Sequence, residues 1–88
     1  MTREEIIEKI FKLISEQLRQ PGKSIRVELN GRIYWRKYNE IWSQSSWAGD
    51  MLLFGRSDDI EKAIKDSIIH EMKYKTNYEL LRIVFELI

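Results

Sequence analysis

The one histidine of this 88-residue chain lies in "HEMKY", residues 70–74. His70-Glu71 opens the pattern H-E-x-x-H, in which two histidines one helical turn apart hold zinc and the glutamate serves as base. Position 74 is Tyr, so the second ligand is missing and His70 reads as a helix-surface residue. Ser and Asp are plentiful, but no nucleophile-elbow pattern accompanies them to position a Ser-His-Asp arrangement. A metal-dependent nuclease needs a carboxylate-x-lysine on a strand. Here Glu71-x-Lys73 falls in a helical stretch, and Asp50 has no such neighbour. The four glycines are dispersed, which leaves no loop to cradle a phosphate. Without cysteine there is no thiolate nucleophile, no Cys-type zinc site and no disulfide framework. These residues point to a non-catalytic protein with no cofactor and no metal.

What remains is the architecture. A chain with 43% hydrophobic and 33% charged residues can bury one core, so residues 1–88 are expected to form a single small domain. Its charged start, Met1-Thr2-Arg3-Glu4-Glu5, has no apolar h-region, so the expectation is a soluble cytoplasmic protein without a membrane segment. The formal charge of +1 disfavours strong electrostatic capture of nucleic acid. Its distribution is uneven: residues 21–40 carry five basic side chains against two acidic ones, and residues 58–88 five against seven.

Thr2 and Glu5 have capping-box spacing before Ile6, Ile7, Ile10, Leu13, Ile14 and Leu18, with Phe11 alongside. An amphipathic helix follows, stopped by Pro21-Gly22. Ile25, Val27 and Leu29 alternate with Arg26 and Glu28 ahead of Asn30-Gly31, which predicts a β-hairpin. A two-residue loop would pair Val27 with Tyr34 and mix apolar with charged groups. A three-residue loop with Gly31 left-handed sets Val27 against Ile33 and Ile25 against Trp35, which separates the faces and is the register expected. Ser43 to Ser46 then reads as a four-residue loop with Trp42 opposite Trp47, Tyr38 opposite Met51 and Arg36 opposite Leu53. Ser57 or Asp58 caps a second helix with the stripe Ile60, Ala63, Ile64, Ile68 and Met72, and Ile69 beside it. Thr76 and Glu79 repeat the capping-box spacing. The tail "YELLRIVFELI" has β-branched content that suits a strand, but Glu79, Arg82 and Glu86 share one helical face, so a helix is expected. The predicted fold is α+β, in the order α-β-β-β-α-α, with a three-stranded antiparallel meander packed against helices.

The order α-β-β-β-α over about residues 2–75 resembles that of the double-stranded-RNA-binding domain. The resemblance is one of order only. That family reads phosphates with a lysine cluster at the start of its last helix, where this chain has Ser57-Asp58-Asp59-Ile60-Glu61. Nor does the Asn30-Gly31 turn match its histidine-bearing loop, so neither function nor residues carry over.

By strand parity, Arg26, Arg32, Tyr34, Arg36, Tyr38, Trp42 and Trp47 fall on the outer sheet face, together with Met51 and Leu53. Helices on both sides of the sheet would bury the rings as core. With one side open, the same surface would anchor a protein partner or stack single-stranded bases. Protein binding through Arg32, Tyr34, Arg36, Tyr38, Trp42 and Trp47 is the expected function, that of an adaptor, regulator or inhibitor acting by occlusion. Weak binding of single-stranded nucleic acid at the same face is the alternative. The tail helix is apolar nearly all round, so Leu81, Val84, Phe85 and Ile88 are candidates for a homodimer contact, unless the helix lodges between the sheet and the second helix.

Overall fold

The computed structural model describes residues 1–19, 26–29, 31–45, 49 and 51–88. It begins with α1 (Arg3–Leu18), where the Thr2 hydroxyl accepts from the Glu5 amide and the Glu5 carboxylate accepts from Thr2, completing the capping box. Ile6, Ile10, Ile14 and Leu18 are buried along one stripe, with Ile7, Phe11 and Leu13 packed at its margin. Pro21-Gly22 lies outside the described residues. The helix ends at Leu18 with Arg19 as its C-cap.

Four strands follow, not three: β1 (Arg26–Leu29), β2 (Arg32–Lys37), β3 (Glu40–Ser45) and β4 (Met51–Arg56). They form one antiparallel meander in the order β1-β2-β3-β4. The extra strand arises because the chain reverses at Tyr38-Asn39, pairing Lys37 with Glu40. Tyr38 sits at φ +54°, its carbonyl accepts from Arg36 Nε at 2.7 Å, and the Asn39 carbonyl accepts from the Ser57 amide at 2.9 Å. With four strands, the likeness to the α-β-β-β-α order ends.

The first hairpin takes the two-residue register, with Leu29 opposite Arg32 and Val27 opposite Tyr34. Gly31 has the positive φ expected of it, +74°. The three-residue register is overturned because the arginines it kept in water have partners on the helix side. Arg36 Nη1 reaches over the sheet to the Leu18 and Arg19 carbonyls at 3.3 and 2.8 Å, and Arg32 Nη2 donates to Ser43 Oγ at 3.0 Å. Long cationic side chains can lie along apolar surface while their heads find acceptors.

Helix α2 begins at Ile60 and runs α-helical over Ile60–Ile64, π-helical over Lys65–Ile69 and 3-10 over Met72–Tyr74. Its N-cap is Asp59, one or two residues beyond the expected position, with Ser57 Oγ accepting from the Asp59 amide at 3.1 Å. Ala63, Ile64, Ile68 and Met72 are buried and Ile60 and Ile69 partly so, as their spacing implied. The tail is helical: α3 (Asn77–Leu87) starts from the Thr76–Glu79 capping box and buries Leu80, Ile83 and Leu87.

The three helices of the described residues lie on one side of the sheet. Arg3 ties the starts of α1 and α3 together through Asn77 Oδ1 at 2.8 Å, and Gln17 Nε2 reaches the Leu87 carbonyl at 3.2 Å near their ends, so these helices run parallel. Arg3 Nη2 also donates to the Met72 and Lys73 carbonyls at 3.2 and 3.0 Å, and Arg19 pairs with Glu61, so α2 runs antiparallel to α1. With α3 over β1 and α2 over β3 and β4, α1 is the middle helix of the layer. The C-terminal carbonyls of all three helices thus accept from side chains of other elements.

Candidate partner-binding face

The strand residues buried against the helices share one parity: Val27, Leu29, Tyr34, Ile41 and Ser43. Ser43 is small enough to let Tyr34 and Phe54 meet across β3, edge to face with centroids 5.2 Å apart. Burial pushes the Tyr34 hydroxyl up to about 12, and the nearby Glu71 carboxylate adds to the shift. A bulge in β4 steps from Leu53, opposite Trp42, to Gly55, opposite Ile41. At Gly55 the sheet passes close against α2. A Cβ there would lie 3.0 Å from Ser67 Oγ, 3.1 Å from Ser67 Cβ and 3.3 Å from the Ala63 carbonyl.

Among the described residues the other parity has no helix on it, and none of its side chains is fully buried. It forms three rows across the strands. Trp35, Trp42 and Leu53 stand directly opposite one another on β2, β3 and β4. Ile33, Gln44 and Met51 make the next row, with Glu28 beyond Ile33 on β1. Lys37, Glu40 and Arg56 make the third. The tryptophans and Ile33 are half-buried, whereas Leu53 is 44% and Met51 59% exposed. Glu40 locks the surface: its carboxylate accepts from the Trp42 indole Nε1 at 3.3 Å and from Arg56 Nε at 3.0 Å, and it also pairs with Arg56 Nη2. The Arg56 hydrogen bond, then the Trp42 one, hold the Glu40 carboxyl below its ordinary range, so it is ionised at neutral pH.

Of the residues expected at this face, Arg26 holds a register position on it opposite Trp35, and Trp42, Met51 and Leu53 are there. Tyr34 is buried in the core, and Arg32 and Arg36 point toward the helices, so the mixed cation–ring surface is corrected to an apolar one. Tyr38 occupies the β2–β3 turn with 84% of its surface exposed. Trp47 lies outside the described residues, and with it the expected Trp42–Trp47 pair; the observed cross-strand neighbours of Trp42 are Trp35 and Leu53. Trp35, assigned to the core by the three-residue register, joins the open face instead. The missed signal was phase. A two-residue turn at Tyr38-Asn39 puts odd positions before it and even positions after it on the same face.

His70 is exposed, with its ring edge-on to Tyr74. No helix among the described residues is long and apolar enough to cross a membrane. Comparison with protein-family models, with curated proteins and with solved structures finds no match.

Proposed function

We propose that this chain is a non-catalytic protein-binding module that docks its partner on the open face of the sheet. The observation that carries this reading is the Trp35–Trp42–Leu53 row, which spans three strands on the side opposite the helices and is continued by Ile33 and Met51. Tryptophan anchors in partly desolvated settings dominate binding energy at protein interfaces, and the Glu40–Arg56 pair at one end supplies a polar rim. Adaptor, regulator and inhibitor are roles such a surface serves by occupying or blocking its partner.

A partner surface of apolar side chains fits better than a phosphate backbone. With Arg32 and Arg36 directed to the helix side, the cations that the register puts on this face are Arg26, opposite Trp35, Lys37 and the Glu40-bound Arg56, opposed by Glu28 and Glu40. Phosphate binding needs several uncommitted cations.

The test uses the intact chain as bait in extracts of its source organism, with Met51→Asp and Leu53→Asp as controls. Any protein captured by the parent chain is purified and titrated calorimetrically against all three. Binding that is lost in both variants, with amide protection on β2, β3 and β4, supports the reading. Binding that survives both, or protection confined to α3, overturns it. A titration with a labelled single-stranded oligonucleotide at low salt examines the rival, for which micromolar affinity falling steeply with salt is the signature.

A further inference from the structure

On α3 the core side is Leu80, Ile83 and Leu87, with Val84 half-buried beside them. Val84 therefore belongs to the packed side of the helix, apart from Leu81, Phe85 and Ile88. The opposite side presents Tyr78, Leu81, Phe85 and Ile88, all exposed, with Phe85 at 77% and Ile88 at 80%. Their spacing is three, four, three, the seam repeat by which two helices pair. The helix that carries them is at the margin of the layer, over β1 and beside α1.

We infer that this seam pairs antiparallel with the same seam of a second copy of the chain, independently of the sheet face. The spacing reads the same in both directions, so an antiparallel copy meets the patch in register, each residue i facing a residue j that faces i in return, as a two-fold contact does. An axis midway between Leu81 and Phe85 sets Tyr78 against the partner's Ile88, and Leu81 against the partner's Phe85. Each ring then meets an aliphatic side chain. The last turn of α3 has no basic residue, so the negative pole of the helix is left uncompensated within the element. Antiparallel pairing lays the positive pole of the partner helix beside it, whereas parallel pairing would align like poles. Four side chains of this size bury about 400–500 Å² per copy, or roughly 1,000 Å² in all. That is at the small end of specific interfaces, so the dimer is weak, with Kd on the order of 10–100 μM.

Sedimentation velocity from about 1 to 500 μM tests this on the full chain, with the mass expected to climb from monomer toward dimer. Phe85→Glu should weaken association at least tenfold and leave the dilute-solution Tm unchanged, because the side chain is exposed. Leu53→Asp should leave it intact. Orientation is read by disulfide formation, since the chain has no cysteine of its own. A mixture of Tyr78→Cys and Ile88→Cys chains should cross-link to each other under mild oxidant, while Tyr78→Cys alone should not. A monomer at every concentration, association unaffected by Phe85→Glu, or efficient cross-linking of Tyr78→Cys with itself would each overturn the inference.

Discussion

The register of the first hairpin decides which side chains face the helices and which form the proposed binding surface, and two leucines test it with one substitution. Leu29 on β1 is 1% exposed and packed under the helices, and Leu53 on β4 is 44% exposed on the open face. Truncating a fully buried leucine forfeits about 2 kcal/mol of transfer free energy and adds a cavity term, so Leu29→Ala should cost about 3 kcal/mol. At Leu53 roughly half of the transfer term is present and no enclosed cavity can form, so Leu53→Ala should cost about 1 kcal/mol or less. Urea unfolding followed by tryptophan fluorescence resolves the two. With a slope near 1 kcal/mol/M for a domain this small, the midpoint should fall by about 3 M for Leu29→Ala and by about 1 M or less for Leu53→Ala. A three-residue loop would place Leu29 in a turn, where truncation costs almost nothing. Equal shifts, or a larger one at Leu53, would refute the register and the face assignment with it.

The close approach at Gly55 predicts that Gly55→Ala costs about 1–3 kcal/mol, because the added methyl meets Ser67 and the Ala63 carbonyl; Ser67→Gly should relieve part of this in a double-mutant cycle, and additivity would argue against the contact. Tyr38→Gly should stabilise by about 0.5–1 kcal/mol in the same unfolding assay, since an exposed tyrosine at φ +54° carries left-handed strain that glycine lacks. Tyr34 has its hydroxyl raised on folding, so its contribution is complete below the ordinary tyrosine value of 10 and is lost as pH rises through about 12. Stability measured between pH 9 and 12 should therefore decline less steeply in Tyr34→Phe than in the parent chain.

The helices were legible because their signals are local. Thr2 with Glu5 and Thr76 with Glu79 mark two starts, and the Ile60–Met72 stripe needs only a period of 3.6. The α+β class followed from these and from the hairpin at Asn30-Gly31. What was not legible depends on distant partners. Nothing near Arg36 in sequence says that its guanidinium will serve the end of α1, so the alternation rule sent it to solvent and took Tyr34 with it. Tyr38-Asn39 carries no glycine, and its turn is held by Arg36 and by the amide of Ser57. Once that turn is missed, every position beyond it keeps the phase of β2, and Trp35 is separated from Trp42. Trp42, Met51 and Leu53 nevertheless come out on the open face because two phase errors cancel, the one-residue slip at the first hairpin and the missed turn at Tyr38-Asn39.

The way the helices end has a consequence for how the chain acquires its structure. Neither α1 nor α3 has a basic residue in its last turn, and the donors at the three helix ends come from 18, 69 and 70 positions away. A final turn that depends on such a donor frays until the chain has closed a loop of that length, whose entropy must be met before the contact forms. Helix completion and chain closure are therefore one event, and the domain should fold in a single cooperative step rather than by docking finished helices. Hydrogen exchange would show this as last-turn amides of α1, α2 and α3 opening only with the whole molecule.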